Sequence, residues 1–519
     1  MSTRRRLVGA TGGMALVAVL SRVFGYARDK TLAALLGAGH VADAFYAGLA
    51  VPNMFRALLA EGALHAAFIP TLAEVKDHGG EEERRQFIRA MTSVLLMALP
   101  LLVGIGVIAA RPLVGLFVPG LVRDPEGYAL AVRLTRLMFP YLGLISLAAL
   151  GQGVLNASDR FLLPAATPIA FNLCVIAGTV TAVELTHGGW DWLAVGVLCG
   201  GLAQLGLQWW GCWRIGLPLL PGRGAFHHPE VRRVLRLMLP GIPALGVYQL
   251  TLLVSYRFAS SVSPGAVTAR FNAARLAELI YGVLIVQLTT AVLPMLSAER
   301  VKDGESARRM LAFAVRLLSL VALPAAVFLG ILAPKIVGTA FGGGRYDATD
   351  VAMTAGALAM YAWGIPFLGL TKLLASTSYA WKDTRQPVLA ATVNLIGFYL
   401  LGVVWTPRFG VAGVAAAASA GQLLNSATLL VLNGRHGRLP HLRDVGPGLA
   451  RQLIAAAVLG AGLLLVLPHL PSMGVTGVRS LALLAMLAAG AVVVYTAVLF
   501  ALGAEELTEA RALFRRRAR

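Results

Sequence analysis

The stretch SRVFGYARDKTLAALLGAGHVADAFYAGLAVPNMFRALLAEGALHAAFIPTLAE, Ser21 to Glu74, decides the fold. It reads as two hydrophobic helices joined by a short turn. Yet Arg22, Arg28, Asp29, Asp43, Arg56 and Glu61 lie inside or at the edges of membrane-length segments. A charged side chain at mid-bilayer costs about 2.5–3.5 kcal/mol on insertion scales, so three arginines facing lipid would cost about 8–10 kcal/mol. The arginines are therefore expected to face a cavity or one another.

The rest of the chain has the same character. Of 519 residues, 57% are hydrophobic and 13% charged, with a mean hydropathy of +0.74. Apolar runs of about 20 residues recur from end to end, the signature of a polytopic helical membrane protein. A β-barrel would alternate with period two. The net charge of +20 is read as cytoplasmic-loop Lys and Arg rather than a nucleic-acid surface. Cys174, Cys199 and Cys212 sit in apolar runs and read as packing residues. No metal motif, phosphate-binding glycine loop or nucleophile elbow is present, so no cofactor and no enzyme chemistry are expected.

Fourteen spans are expected, near 7–28, 41–70, 90–110, 130–155, 163–185, 192–213, 236–259, 270–297, 308–332, 350–378, 387–405, 411–433, 449–468 and 479–502. Connections such as Lys76–Arg89, Asn156–Arg160, Arg214–Arg236, Glu299–Arg309 and Lys382–Arg385 are much richer in Lys and Arg than those on the other side. The positive-inside rule then puts both termini in the cytoplasm, which an even span count requires. The basic, then apolar, N-terminus resembles a signal peptide but is read as a retained first span.

The chain is doubled. PYLGLISLAALGQGVLNASDRFLLPAATPIAFN (Pro140–Asn172) rhymes with PFLGLTKLLASTSYAWKDTRQPVLAATVN (Pro366–Asn394). Internal repeats of this kind are typical of transporters with a substrate site near the midplane. The fold class expected is all-α polytopic, with two pseudo-symmetric six-helix lobes around a central cationic cavity plus two extra helices. Residues 1–216 form the first lobe, 217–235 a basic linker, 236–436 the second lobe, 437–503 the extra pair and 504–519 a basic tail.

Arg22 and Asp29 are seven apart and share a helix face, with Arg28 about 120° round from Arg22. Gly25 between them is a candidate hinge, as is Pro52 ahead of Asn53 and Arg56, which share a face. A competing reading has Arg28 and Asp29 snorkelling to the interface and pairing with Asp43. Glu61 reads equally as a structural partner to an arginine. In the second half Asn272, Arg275 and Glu278 recur at spacing three, and Arg275 can pair with Glu278 along the helix. Lys372 reads as a lone buried cation. A mainly basic cavity selects an anion, and the guanidinium fork matches phosphate oxygens. The ligand expected is a phosphate, a diphosphate or an amphiphile carrying one.

Four segments, SRVFGYARDK, the run from Gly37 to Glu74, GVLNASDRFLLPAATPIAFN and FNAARLAELIYGVLIVQLTTAVLPMLS, resemble the MurJ (MviN) family of bacterial lipid II flippases. That family belongs to the multidrug/oligosaccharidyl-lipid/polysaccharide (MOP) exporter superfamily, and the likeness covers nearly the whole chain. It implies an inner-membrane protein that moves the undecaprenyl-diphosphate-linked peptidoglycan precursor to the periplasmic leaflet by alternating access. It also implies a lipid-tail groove on the last two helices and essential arginines at Arg22, Arg28, Arg56 and Arg275. Asp43, Glu61 and Lys372 match further functional positions of the family. Expected partners are lipid II, membrane lipids and cell-wall synthesis proteins, with the chain itself a monomer. Some relatives bind sodium through a carboxylate, yet Pro240 to Ser263 holds no Asp or Glu. Membrane potential or another ion is then the expected driver. Competing readings are a flippase for another polyprenyl-diphosphate-linked glycan, a multidrug cation antiporter and a non-transporting scaffold.

Overall fold

The computed structural model describes residues 3–58, 64–222, 228–239, 241–282, 292–298, 303–470 and 477–504. These are almost entirely helical. The first helices are α1 (Thr3–Leu36), α2 (His40–Arg56), α3 (Leu64–Ile108), α4 (Ala110–Phe117), α5 (Pro125–Met138) and α6 (Tyr141–Asn156). Next come α7 (Leu162–Val180), α8 (Asp191–Arg214), α9 (Pro229–Met238), α10 (Gly241–Ser260) and α11 (Ala266–Ile280). The chain continues with α12 (Gly304–Ile331), α13 (Ala333–Ala340), α14 (Ala348–Ala380), α15 (Arg385–Arg435), α16 (Leu442–Val466) and α17 (Val478–Ala501).

Two of these helices are hairpins. α3 is broken at Gly80, with φ 73° and ψ −171°. A straight helix would hold Phe68 and Phe87 about 28 Å apart, but their ring centroids lie 5.4 Å apart. The chain therefore reverses at Gly80. The connection expected at Lys76–Arg89 is a helical corner rather than a loop. Similarly, α15 turns at Gly410 (φ 59°, ψ −137°), which divides its 51 residues into the two spans expected near 387–405 and 411–433. Nine helical stretches among the described residues are long and apolar enough to cross a membrane. Dividing α15 and adding the charge-bearing α1, α2, α10 and α11 is consistent with fourteen spans.

The doubling is visible in fine detail. The short helices α4 and α13 begin at Ala110 and Ala333, and α5 and α14 are preceded by Asp124 and Asp347 at the N-cap position. Each set then ends a span with a left-handed residue, Asp159 (φ 57°) in one and Lys382 (φ 59°) in the other. The hydrogen bonds match too: Arg160 N–H reaches Leu155 O at 2.9 Å, and Asp383 N–H reaches Ser378 O at 3.0 Å. These are the paired bonds of a Schellman turn. Two non-glycine residues held at positive φ at matched places point to one duplicated template. Such a conformation costs a side chain about 1–2 kcal/mol, more than the roughly 0.4–1 kcal/mol that glycine adds to unfolded-chain entropy. Lys382→Gly is accordingly expected to raise the thermal midpoint of the detergent-solubilised protein, read by differential scanning fluorimetry. An unchanged or lowered midpoint would contradict the strain at this turn.

Packing divides the chain into two compact units, Met1–Val267 and Thr268–Arg519. In the first, Phe68, Leu72, Phe87, Met91, Leu150, Val154, Val231 and Val234 form a core joining both arms of α3 to α6 and α9. The basic linker thus carries a helix, α9, whose apolar face is buried while Arg233 reaches Glu74 at 2.6 Å. The repeat makes α10 the head of the second set, yet by contact it belongs to the first unit. Its Arg257 donates to Leu116 O at 2.8 Å, and Ser260 Oγ accepts from Gly120 N–H at 3.2 Å. In the second unit, Leu332, Leu459, Leu463, Tyr495 and Leu499 tie α16 and α17 to the end of α12.

Asp303 caps α12 and accepts from Ser306 N–H at 2.5 Å. That bond holds its carboxyl below the usual aspartate range. A depressed folded-state pKa stabilises the cap above the unfolded pKa, and the effect is lost as pH falls through the folded value. Protection of the Ser306 amide in hydrogen exchange should therefore weaken as pH drops below about 4. Asp303→Asn should flatten that dependence, and a persistent pH response in the variant would exclude Asp303 as its source.

Candidate functional site

α1 runs unbroken from Thr3 to Leu36, so Gly25, which is buried, does not interrupt the helix. Arg22 stands exposed one turn earlier. Arg28 is the anchored member of the set. Its Nε and Nη2 both donate to Asp29 Oδ1, at 3.0 and 2.6 Å, and its Nη1 donates to Asn172 Oδ1 on α7 at 3.1 Å. The guanidinium side chain is 15% exposed and that of Asp29 only 3%. The long arginine side chain reaches round the helix to its neighbour. Asp29 thereby binds Arg28 rather than Arg22, whose face it shares by spacing.

A guanidinium carries five N–H donors. Among the described residues, Asp29 and Asn172 take three of those on Arg28, leaving two, the number a bidentate phosphate contact uses. The carboxylate and the amide thus orient the fork without consuming it.

In α2, Pro52 is buried inside a helix that continues to Arg56. The helical geometry changes one turn later, where Ala57 and Leu58 form a π turn. Proline removes a backbone donor and crowds the carbonyl four residues back, and here the helix absorbs both before it ends. Arg56 Nε donates to Asn53 Oδ1 at 3.1 Å, as the spacing of three suggests. Glu61 lies outside the described residues.

Asp43 sits elsewhere. It is buried, and its Oδ2 accepts from Gly265 N–H at 2.8 Å. It holds the turn between α10 and α11 against the start of α2, and the alternative pairing of Asp43 with Arg28 and Asp29 is not what forms.

In the second unit, Arg275 Nη1 lies 3.7 Å from Glu278 Oε2 along α11, both well exposed. Asn272 leaves this group. It is fully buried and its Nδ2 donates to Tyr346 Oη at 3.4 Å, with Thr354 Oγ1 bonded to the same phenol. Residues three apart on a helix are still about 60° apart in azimuth, enough to send Asn272 into the packed side. Lys372 is exposed on α14, with its ammonium 5.3 Å from the Tyr281 ring centroid. Two residues were not singled out from the sequence. Asn172 was visible only as a member of the repeat, and Arg270 on α11 is 7% exposed, a buried cation just before the Arg275 turn.

A chain made of duplicated sets of membrane-length helices, with a held arginine at membrane depth, is a multi-pass α-helical membrane transport protein. The sequence profile of the family described as lipid II flippase MurJ matches residues 32–485. The lipid II flippase MurJ of Burkholderia cenocepacia is 37% identical over 453 residues, spanning 86% of this chain and 87% of that protein. A probable lipid II flippase MurJ of Rhizobium meliloti is 33% identical over 508 residues, spanning 95% and 93%. This chain belongs to the lipid II flippase MurJ family. Its fold matches a solved lipid II flippase MurJ in an inward closed conformation, with a TM-score of 0.77 at 22% identity over 98% of this chain and 99% of the other. An inward-facing multidrug resistance MATE family transporter of the MOP superfamily follows the same fold, with a TM-score of 0.63 at 12% identity over 82% and 97%.

Proposed function

We infer that this protein flips lipid II, the undecaprenyl-diphosphate-linked peptidoglycan precursor, from the cytoplasmic to the periplasmic leaflet of a bacterial inner membrane. It is a transporter and not an enzyme. Family membership supports the substrate, and the arrangement at Arg28 carries the mechanism. A guanidinium gripped by Asp29 and Asn172, with two donors to spare, suits one face of a diphosphate.

In this reading Arg22, Arg56 and Arg275 bind the same anion at stages of its passage. Asp29, Asn53 and Glu278 orient arginines, and Lys372 attracts the headgroup. α16 and α17 carry the polyprenyl tail, which their exposed Leu464, Leu465, Val492 and Val493 suit. The repeated six-helix sets alternate access with both termini cytoplasmic, driven by membrane potential or an ion and needing no bound cofactor. Partners beyond lipid II are cell-wall synthesis proteins, and the working unit is the monomer.

The test is depletion of the protein followed by leaflet-resolved analysis of lipid-linked sugars. Accumulation of inward-facing lipid II is expected. Accumulation of a different polyprenyl-diphosphate-linked glycan, with lipid II still translocated, would overturn the substrate.

A further inference from the structure

The end of α8 encloses a cavity of about 300 Å³ against the second arm of α3. Gly216 turns the chain in a left-handed conformation (φ 74°), and Leu217 N–H closes the turn on Cys212 O at 3.0 Å. The chain is then pinned back on α3. The Ser93 hydroxyl donates to Gly222 O at 2.9 Å and accepts from Gly222 N–H at 2.8 Å. Leu217 and Pro218 line this fixed wall, Trp213 flanks it, and Arg85 and Arg89 face it one helical turn apart. A Cβ built on Gly216 would stand 3.5 Å from Arg85 Nη2, which sets that guanidinium over the turn.

The charges here are unbalanced. The adjacent Arg84 is buried and bonded to Glu81 at 3.2 Å and Ser158 at 2.5 Å. Among the described residues no carboxylate pairs with Arg85 or Arg89. Two like charges four residues apart on a helix repel, and an anion between them removes that cost. The depth is also set. Trp209, Trp210 and Trp213 are all exposed at the end of α8, and the Arg214 guanidinium lies 4.9 Å from the Trp210 ring centroid. Exposed tryptophans at the end of a membrane-length helix mark the headgroup level of a bilayer.

We propose that this cavity binds the phosphodiester headgroup of an anionic glycerophospholipid. Arg85 and Arg89 bind the phosphate oxygens, Trp213 covers the glycerol, and the acyl chains lie along the exposed face of α8. The site is separate from the Arg28 cluster and does not depend on flipping.

The test uses the full chain in dodecyl maltoside, titrated with dioleoylphosphatidylglycerol, dioleoylphosphatidylcholine or inorganic phosphate, and read by native mass spectrometry and thermal unfolding. Phosphatidylglycerol is expected to bind and raise the unfolding midpoint, and phosphatidylcholine to do so far less. Arg85→Gln/Arg89→Gln should weaken phosphatidylglycerol binding about thirtyfold with the lipid-free midpoint no lower, since the repulsion between the two charges is gone. Arg85→Lys/Arg89→Lys should keep most of the binding. Trp213→Ala, a surface change, should weaken it without loss of fold and serves if the double variant does not express. Undiminished phosphatidylglycerol binding in either the Gln pair or Trp213→Ala would overturn the site. Equal binding of phosphatidylcholine would overturn the charge selectivity, and inorganic phosphate matching phosphatidylglycerol would make this a free-phosphate site instead.

Discussion

Cells that depend on Arg28→Ala are expected to stop dividing and to accumulate lipid II in the cytoplasmic leaflet, while the variant is inserted at normal levels. Arg28 holds three hydrogen bonds within the protein and has two donors left for the diphosphate. Hydrogen bonds to charged groups contribute about 1.5–3 kcal/mol each. Loss of the two-point grip therefore weakens binding of the diphosphate by roughly two orders of magnitude or more. Arg28→Lys separates the grip from the charge. One ammonium cannot replace a planar fork that contacts Asp29, Asn172 and a phosphate at once, so this variant should also fail, although less completely. Asn172→Ala should lose part of the activity, because the fork keeps its charge and its Asp29 contact but not its aim. The checks are complementation of a depleted strain, immunoblotting of membranes and leaflet-resolved lipid II. Normal growth on Arg28→Ala alone would remove Arg28 from the transport path.

Some of this was readable in the chain itself. Hydropathy gives the spans because a bilayer leaves no choice but helices whose backbone groups bond internally. Pro140–Asn172 and Pro366–Asn394 carry the doubling, and the matched left-handed residues Asp159 and Lys382 lie in those same segments. Arg56–Asn53 and Arg275–Glu278 follow from helical spacing alone. Three-dimensional packing decides the remainder. Asp29 turns to Arg28 because a long side chain can round the helix, which spacing rules ignore. Asn172 joins Arg28 from 144 residues away, a contact no local pattern encodes. Asn272 shares a nominal stripe with Arg275 yet packs inward on Tyr346. α2 stays helical through Pro52 to Arg56 and passes into a π turn at Ala57–Leu58, so proline in a sequence marks where a helix can bend without showing that it does.

Asp43 supplies the other large effect, and it acts through a backbone rather than a ligand. Its carboxylate accepts from Gly265 N–H at 2.8 Å, both groups being buried. Gly265 has φ +83°, and a Cβ there would stand 2.2 Å from Ala38 O and 2.7 Å from Ala38 C. The turn between α10 and α11 is thus seated directly on the turn between α1 and α2, with no room for a side chain. Gly265→Ala must strain the backbone by about 1–3 kcal/mol and also push two main chains apart, because the clash is with backbone that cannot rotate away. Gly265→Val should do so more severely. Asp43→Ala leaves a buried N–H unsatisfied, at about 1–3 kcal/mol, while Asp43→Asn retains an acceptor oxygen and should fall between it and the wild type. Gly265→Ala, Gly265→Val and Asp43→Ala are expected to lower the unfolding midpoint in detergent and to weaken complementation, since each disturbs the buried seat of the α10–α11 turn on the start of α2. The order of severity, Gly265→Val beyond Gly265→Ala and Asp43→Ala beyond Asp43→Asn, separates a steric and hydrogen-bonded seat from a purely electrostatic role. If Asp43→Asn proved as damaging as Asp43→Ala while Gly265→Ala behaved as wild type, the negative charge of Asp43, and not its hold on the turn, would be what the protein needs.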